Sequence, residues 1–247
     1  EKCPVHESPG NNLAYFINKN VSANVRWLRY IYFTSVIRNF FNDKKTPEYI
    51  LDIGSYYGGF QYVMKHIFPK SSHILVDFPH QLARSSIFLN KAFPNSRILA
   101  IYDLDTLNDF FEFHKDTKYD FLLLTTDFFN SFSDQYSKLN KKIDLITNFY
   151  SLGEMPKNFF NSYLESKLIK ESKYLYFCNR YDSSPFYEKT FQESFSIMDY
   201  LVEGFKVKLN RSSGIHNYMT PIRYLFKNKK PRPISAGYFE IIQKNKN

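Results

Sequence analysis

The sequence predicts an α/β domain on a Rossmann-like, mostly parallel sheet, with a leading N-terminal helix and a C-terminal antiparallel hairpin. Three observations predict it. The apolar run Tyr49-Ile50-Leu51-Asp52-Ile53 breaks at Gly54 into a short turn holding Gly58 and Gly59, then passes at once into an amphipathic segment (Phe60, Val63, Met64, Ile67, Phe68), which is strand, turn and helix in that order. A second apolar run, Ile74-Leu75-Val76, follows closely and ends on an acid, Asp77. Short apolar runs then alternate with helical patterns along most of the remaining chain, the order that builds βα units.

The elements follow in order. Glu1 to Asn20 is polar and irregular. From Val21 to Phe41 the apolar residues Val25, Leu28, Tyr32, Val36 and Phe40 recur at helical spacing, with Asn20 or Ser22 as a cap, so one long helix leads into the first strand and packs on the core by default. Pro79 suits the first turn of a helix running to about Phe93. Arg97 to Tyr102 reads as a strand, Thr106 to His114 as a helix opened by Asp103 or Asp105, and Tyr119 to Thr126 as a further strand. Of these two strands, Phe121 to Thr126 is the better third strand of the core sheet, because an unbroken apolar run suits a strand covered on both faces. Ile143 to Tyr150 is the fourth and Tyr174 to Asn179 the fifth, with a helix marked by Phe159, Phe160, Tyr163, Leu164 and Leu168 between them. Phe205 to Leu209 and Tyr238 to Ile242 form the closing antiparallel pair around an insertion, Asn210 to Ala236, and loops of that length are usually functional or disordered. Length fits a single domain, 1–247: a helical cap 1–45, a ligand-binding core 46–180, and a sheet edge 181–247 with a substrate-side insertion 210–236.

Composition narrows the function classes. The 26 Phe and 20 Tyr against 1 Trp, with abundant Lys and Asn, are what codon bias in an AT-rich genome produces, so aromatic clusters alone carry no functional weight. No run of about 20 apolar residues spans a membrane and no basic-then-apolar leader directs export, although the chain lacks an initiating Met and a trimmed leader stays open. Cys3 and Cys178 match no metal spacing and read as free thiols of a reducing cytoplasm. No Asp, His and Glu cluster has ligand spacing, so no metal is expected. The net charge of +9 attracts anionic partners, nucleic acid among them, and its densest cluster is Arg223, Lys227, Lys229, Lys230 and Arg232. A solvated loop accounts for that cluster, and no nucleic-acid module accompanies it.

The turn itself carries chemistry. Gly54, Ser55, Tyr57 and Gly58 form a loop that needs backbone angles closed to most side chains and lets a ligand lie against bare backbone at a helix start. Asp77 stands where such folds place the carboxylate that accepts hydrogen bonds from ribose hydroxyls, with Phe78 beside it. Dinucleotide enzymes favour glycines spaced to seat a pyrophosphate, whereas here an acid, Asp52, precedes the first glycine by two residues and would repel one. It suits a cation. The sulfonium and ammonium groups of S-adenosylmethionine fit, with Asp52 orienting the methionine half directly or through water. Thr126 and Asp127 then lie at the carboxyl edge near the adenine, and Asn148 ends the fourth strand. A ligand-free βα turn is the alternative.

Three segments carry a family resemblance: Asp52-Ile53-Gly54-Ser55-Tyr56-Tyr57-Gly58-Gly59, Leu75-Val76-Asp77-Phe78-Pro79, and Asn148-Phe149-Tyr150-Ser151-Leu152-Gly153-Glu154-Met155. Together they resemble the sugar O-methyltransferase family of bacterial surface-polysaccharide clusters over roughly Tyr49 to Arg180. The third segment, with its Ser-x-x-Glu-Met core, is the most particular. The resemblance implies a class I methyltransferase fold and an O-methylated sugar or glycan precursor. One position departs: Tyr56 stands where the family has its middle glycine, so the loop either takes another path or sets a phenol over the cofactor entrance.

Methyl transfer from a sulfonium is an in-line displacement, so the protein must align the acceptor hydroxyl and take its proton. The fourth strand's carboxyl end faces the methyl group in this architecture, which brings Asn148, Tyr150, Ser151 and Glu154 near the acceptor. Glu154 is the first candidate base. It also reads as a helix N-terminal acid, since Ser151 to Glu154 has capping-box spacing and Pro156 favours a first turn. His216, in the insertion, is the second candidate. Asn179 and Arg180 end the fifth strand within reach of a substrate, and Arg180 with Arg211 and Arg223 suits a phosphate or carboxylate. A nucleotide-linked, phosphorylated or phosphoramidate-bearing precursor matches the positive balance. An RNA or protein methyltransferase, and a non-catalytic methyltransferase-like binding subunit, are the alternatives. Nothing in the residues sets the oligomeric state.

Overall fold

In the computed structural model the described residues are 25–41, 46–139, 141–181, 196–215 and 237–246. They build one eight-stranded sheet in the order β3-β4-β2-β1-β5-β6-β8-β7. The strands are β1 (Tyr49–Ile53), β2 (Ser72–Asp77), β3 (Ile98–Ile101), β4 (Phe121–Thr125), β5 (Leu145–Phe149), β6 (Tyr174–Arg180), β7 (Phe205–Ser212) and β8 (Tyr238–Asn245). The first six run parallel, and β8 then pairs antiparallel with both β6 and β7. The apolar run Phe121–Thr125 takes the place beside β2, while Ile98–Ile101 is added outside it as the edge strand. Full burial of β4 and the half-exposed pattern of β3 give the physical reason.

Helices cover both faces. They are α1 (Val25–Phe41), α2 (Gly59–Ile67), α3 (Pro79–Ala92), α4 (Leu104–Asp109), α5 (Phe129–Tyr136), α6 (Lys157–Leu164) and α7 (Lys167–Glu171). Pro79 opens α3. Asp103, rather than Asp105, caps α4: its carboxylate accepts from the Thr106 backbone N–H, and the Thr106 hydroxyl oxygen accepts from the Asp103 N–H. The expected single helix around Phe160 is two, α6 and α7, because the chain breaks at Glu165 and Ser166 restarts it as an N-cap. Helix α5 has no counterpart in the sequence reading.

Helix α1 lies on the sheet, but its buried stripe differs from the expected one. Trp27, Phe33, Thr34 and Ile37 are buried, while Leu28, Tyr32, Val36 and Phe40 are only partly covered. Apolar residues occur all round this helix, so periodicity alone does not fix its facing side. Phe33 stacks flat on Phe149 of β5, with centroids 4.0 Å apart, and meets Tyr176 of β6 edge-on at 6.0 Å. Trp27 packs edge-on against Tyr62 of α2 at 5.3 Å. Each such buried aromatic stabilises the fold by about 1.5–3 kcal/mol through area removed from water. Together with Phe40 and Phe41 against Tyr174 they seat α1 across the sheet face, from the carboxyl end of β5 to the start of β6.

The insertion is shorter at its start than expected. Asn210, Arg211 and Ser212 continue β7, in register with Ile241, Glu240 and Phe239. Cys3, His216 and the basic cluster Arg223 to Arg232 lie outside the described residues.

Candidate functional site

In an open α/β sheet, ligands bind outside the carboxyl ends of the strands where the strand order reverses. Here that point lies at β1, which pairs with β2 on one side and with β5 on the other. The loop after β1 is the glycine-rich turn. Gly54 has φ 77° and Gly58 has φ 84°, both in the left-handed region. A Cβ on Gly54 would fall 2.1 Å from Ser151 Oγ, and one on Gly58 would fall 3.1 Å from Leu89 Cδ1. A side chain is therefore excluded at Gly54 by Ser151 as well as by its torsion, and at Gly58 it would be strained by its torsion and tight against Leu89.

Tyr56 takes a left-handed conformation, with φ 55°, at a cost of about 1–2 kcal/mol for an L-residue. Its backbone N–H donates to Asp77 Oδ2 at 2.6 Å, and Asp77 Oδ1 accepts from the Phe78 N–H at 2.7 Å. The acid thus ties the turn to the end of β2. Burial raises the Asp77 carboxyl above its ordinary range, and the two backbone donors pull it back. Phe78 stands half exposed beside it, its ring parallel to that of His80.

Asp52 is buried beneath the turn. Its Oδ1 accepts from Thr147 Oγ1 and its Oδ2 from Gln61 Nε2, both at 2.6 Å. Burial pushes its carboxyl up to about 7 despite those two donors. The unfolded chain releases this proton near 3.8 and the folded chain near 7, so between those values only the native state holds it. Stability therefore falls as pH rises through that window, the reverse of an ion-paired acid. Asp52→Asn should remove the fall and leave the protein more stable than the parent at pH 7.5, because Gln61 Oε1, now without a partner among the described residues, can accept from the new amide. Urea midpoints of both proteins at pH 5, 6 and 7.5 test this. A parent midpoint that drops no more than the variant's would refute it.

The residues at the end of β5 are locked together. Asn148 Nδ2 donates to the Ile53 carbonyl at 2.7 Å and to Ser151 Oγ, while Asn148 Oδ1 accepts from Asn179 Nδ2 at 2.9 Å and from the Leu152 N–H at 3.2 Å. Asn179 Oδ1 in turn accepts from the Gly153 N–H at 3.1 Å, and the Ser151 hydroxyl donates to the Ile53 carbonyl at 3.1 Å. These polar atoms are spent on holding β1, β5, β6 and the following turn in register.

Glu154 ends a 3-10 turn, Leu152–Glu154, and neither it nor Ser151 caps a helix. The capping-box expectation fails because Ser151 is drawn toward Ile53 and Asn148, and α6 begins after Pro156. Glu154 is half-buried, and its carboxylate has no hydrogen-bond or ion-pair partner among the described residues. Burial raises its carboxyl, with the Arg180 charge opposing.

Other expected site residues divide. Tyr57 turns its ring into the core against Phe88, so only its backbone borders the turn. Thr126 and Asp127 follow β4 at the carboxyl edge, Asp127 exposed. Thr125, which the sequence reading missed, pairs in register with Asp77. Its place as the last strand residue was the available signal. Thr125 Oγ1 and Ser55 Oγ are buried without hydrogen-bond partners among the described residues. Thr125 lies in register with Asp77 and the Ser55 N–H donates to the Val76 carbonyl, so both unsatisfied hydroxyls belong to residues beside the end of β2, which fits a polar ligand such as a nucleoside. Arg211 is removed from the anion-binding set, because its guanidinium grips Glu240 at 3.0 Å. Among the described residues no three His, Cys, Asp or Glu side chains gather as metal ligands. No helix of the described chain is long and apolar enough to cross a membrane. A cleft of ≈ 340 Å³ at Lys65, Phe93, Ser96 and Asp120 lies at the amino ends of the strands and touches none of these groups.

No family model and no curated protein sequence matches the chain. Solved structures do. A protein from Galdieria sulphuraria, provisionally called a sarcosine dimethylglycine methyltransferase, superposes with TM-score 0.53 at 11% identity, over 88% of this chain and 85% of that one. A plantazolicin methyltransferase, solved with a triazolic desmethylPZN analog and SAH, superposes with TM-score 0.51 at 10% identity, over 90% and 86%. At such identities the likeness is one of fold. The fold is the Rossmann-like class I methyltransferase fold with a C-terminal antiparallel hairpin.

Proposed function

We propose that a chain with this fold is an S-adenosylmethionine-dependent O-methyltransferase acting on a sugar or sugar-derived precursor of a bacterial surface polysaccharide, the acceptor being nucleotide-linked, phosphorylated or phosphoramidate-bearing. The carrying observation is the Asp77 carboxylate at the reversal of strand order, with the unsatisfied hydroxyls of Ser55 and Thr125 near it and a turn whose Gly54 and Gly58 take left-handed torsions. In this reading Asp77 holds the ribose and Phe78 lies along the adenine. The cofactor supplies an activated methyl group. Asp52 sits below as a buried neutralising group for its cationic end. The sugar acceptor is supported by the resemblance of Asn148 to Met155, and by Glu154, a half-buried carboxylate at the acceptor side suited to take a hydroxyl proton. The RNA reading rests on Arg223 to Arg232, outside the described residues, so the geometry adds nothing to it.

The test is calorimetric. Wild-type protein should bind S-adenosylmethionine, and Asp77→Ala should weaken it by about 1.5–3 kcal/mol, the worth of a charge-assisted hydrogen bond. Unchanged affinity in a folded Asp77→Ala protein would remove Asp77 from the site. No binding by the wild type would remove the cofactor.

A further inference from the structure

Two residues other than glycine have positive φ among the described residues, Tyr56 at 55° and Tyr150 at 78°. They follow β1 and β5, the two strands that flank the ligand crevice. Each carries an arginine from α1, one helical turn apart: the Arg26 guanidinium lies 4.6 Å from the Tyr56 ring centroid, and that of Arg29 lies 5.2 Å from the Tyr150 centroid. The row continues. Tyr150 meets Tyr238 edge-on at 5.3 Å, and Arg180 lies 5.8 Å over the Tyr238 ring while its Nε donates to the Tyr238 hydroxyl at 3.0 Å.

None of these three guanidinium groups joins a salt bridge among the described residues, although the other arginine of this region, Arg211, does. Arg29 Nε is moreover shielded from water without a hydrogen-bond partner among the described residues. Backbone strain persists where the surroundings over-determine it, and it clusters at ligand sites. Here two strained tyrosines lie against planar cations, and among the described residues no carboxylate pairs with the guanidinium edges, the groups that bind oxyanions bidentately.

We propose that Arg26, Arg29 and Arg180 form an oxyanion-binding wall along this crevice that receives a carboxylate or phosphate of the bound ligand. The wall rests on the methyltransferase reading only for which molecule brings the oxyanion: the amino-acid end of the cofactor on the Arg26 side, or an acidic acceptor on the Arg180 side.

Titration calorimetry with two probe sets separates these sources. S-adenosylhomocysteine and 5′-methylthioadenosine share the nucleoside thioether but differ in the amino-acid end. Pyrophosphate, added to protein saturated with S-adenosylhomocysteine, reports an acceptor-side anion. Arg26→Gln or Arg29→Gln should weaken S-adenosylhomocysteine by about 10–100-fold with methylthioadenosine unchanged, or Arg29→Gln and Arg180→Gln should weaken pyrophosphate by a similar factor. Either pattern supports the wall and names the source. Arg29→Lys and Arg180→Lys, which keep charge but lose the planar fork, guard against a folding defect and should lose affinity only in part. If all three Gln variants bind S-adenosylhomocysteine and methylthioadenosine in the wild-type ratio, and pyrophosphate binds no more weakly than to the wild type, the proposal is overturned. Should the wild type bind neither nucleoside, the cofactor reading fails while the pyrophosphate titration, run without it, still decides the wall.

Discussion

Glu154→Gln is expected to lower single-turnover methyl transfer by about 10²–10⁴-fold while leaving S-adenosylmethionine affinity and thermal stability near the wild-type values. The stability half of that expectation comes from the geometry. A capping acid would cost about 1 kcal/mol on neutralisation, but Glu154 sits on a 3-10 turn and caps nothing. The rate half comes from its surroundings. Burial raises the carboxyl, which brings a glutamate nearer to the pKa of an efficient base at neutral pH. The base works ionised, so the rate should fall as pH drops through the raised value, and this acid limb should lie above the ordinary glutamate range. Arg180 opposes the shift, so Arg180→Gln should move the limb upward. Stopped reactions on an identified acceptor give both numbers. Loss of turnover in His216→Asn with normal turnover in Glu154→Gln would place the base in the insertion instead.

How far the residues disclosed this arrangement depends on what kind of signal each part needed. The succession of β1, turn, α2 and β2 was readable because apolar runs ending in Gly54 and Asp77 report a βαβ unit locally. The two-way choice between Ile98–Ile101 and Phe121–Thr125 was also readable, since full burial leaves an unbroken apolar run. The face of α1 was not, because a helix apolar on all sides has no dominant stripe, and Trp27 and Phe33 were chosen by partners on α2 and β5 far along the chain. Site residues show the same division. Asp77 and the turn follow from spacing. Asn148, Ser151 and Asn179 were legible as residues at or just after the carboxyl ends of β5 and β6, but a sequence does not reveal that their polar atoms satisfy one another. Arg26 and Arg29 were invisible for a further reason: an arginine on a helix reads as solvated until the rings beneath it are placed.

Arg211 gives the largest expected loss of stability. It was grouped by charge with Arg180 as an anion binder, yet across the β7–β8 pair it faces Glu240, whose side chain is fully buried. Glu240 Oε2 accepts from Arg211 Nε at 3.1 Å and Nη2 at 3.0 Å, and from the Tyr32 hydroxyl at 3.1 Å; Oε1 accepts from the Ser213 hydroxyl at 2.7 Å. Removing the cation leaves a buried carboxylate with only neutral donors, which costs about 3–5 kcal/mol when the charge stays buried. Arg211 is itself partly exposed, so the lower end applies. Arg211→Met should therefore destabilise by about 3 kcal/mol in urea unfolding at pH 7.5. The companion expectation identifies the cause: Glu240→Gln added to Arg211→Met should recover a large part of that loss, because it removes the stranded charge and keeps the side-chain volume. If Arg211→Met lies within about 1 kcal/mol of the wild type, or the double variant is no more stable than the single, the pair is incidental. If both hold, this buried pair fixes the end of β7 and the Tyr32 side of α1 to β8, and so supports the helix that carries Arg26 and Arg29 over the crevice.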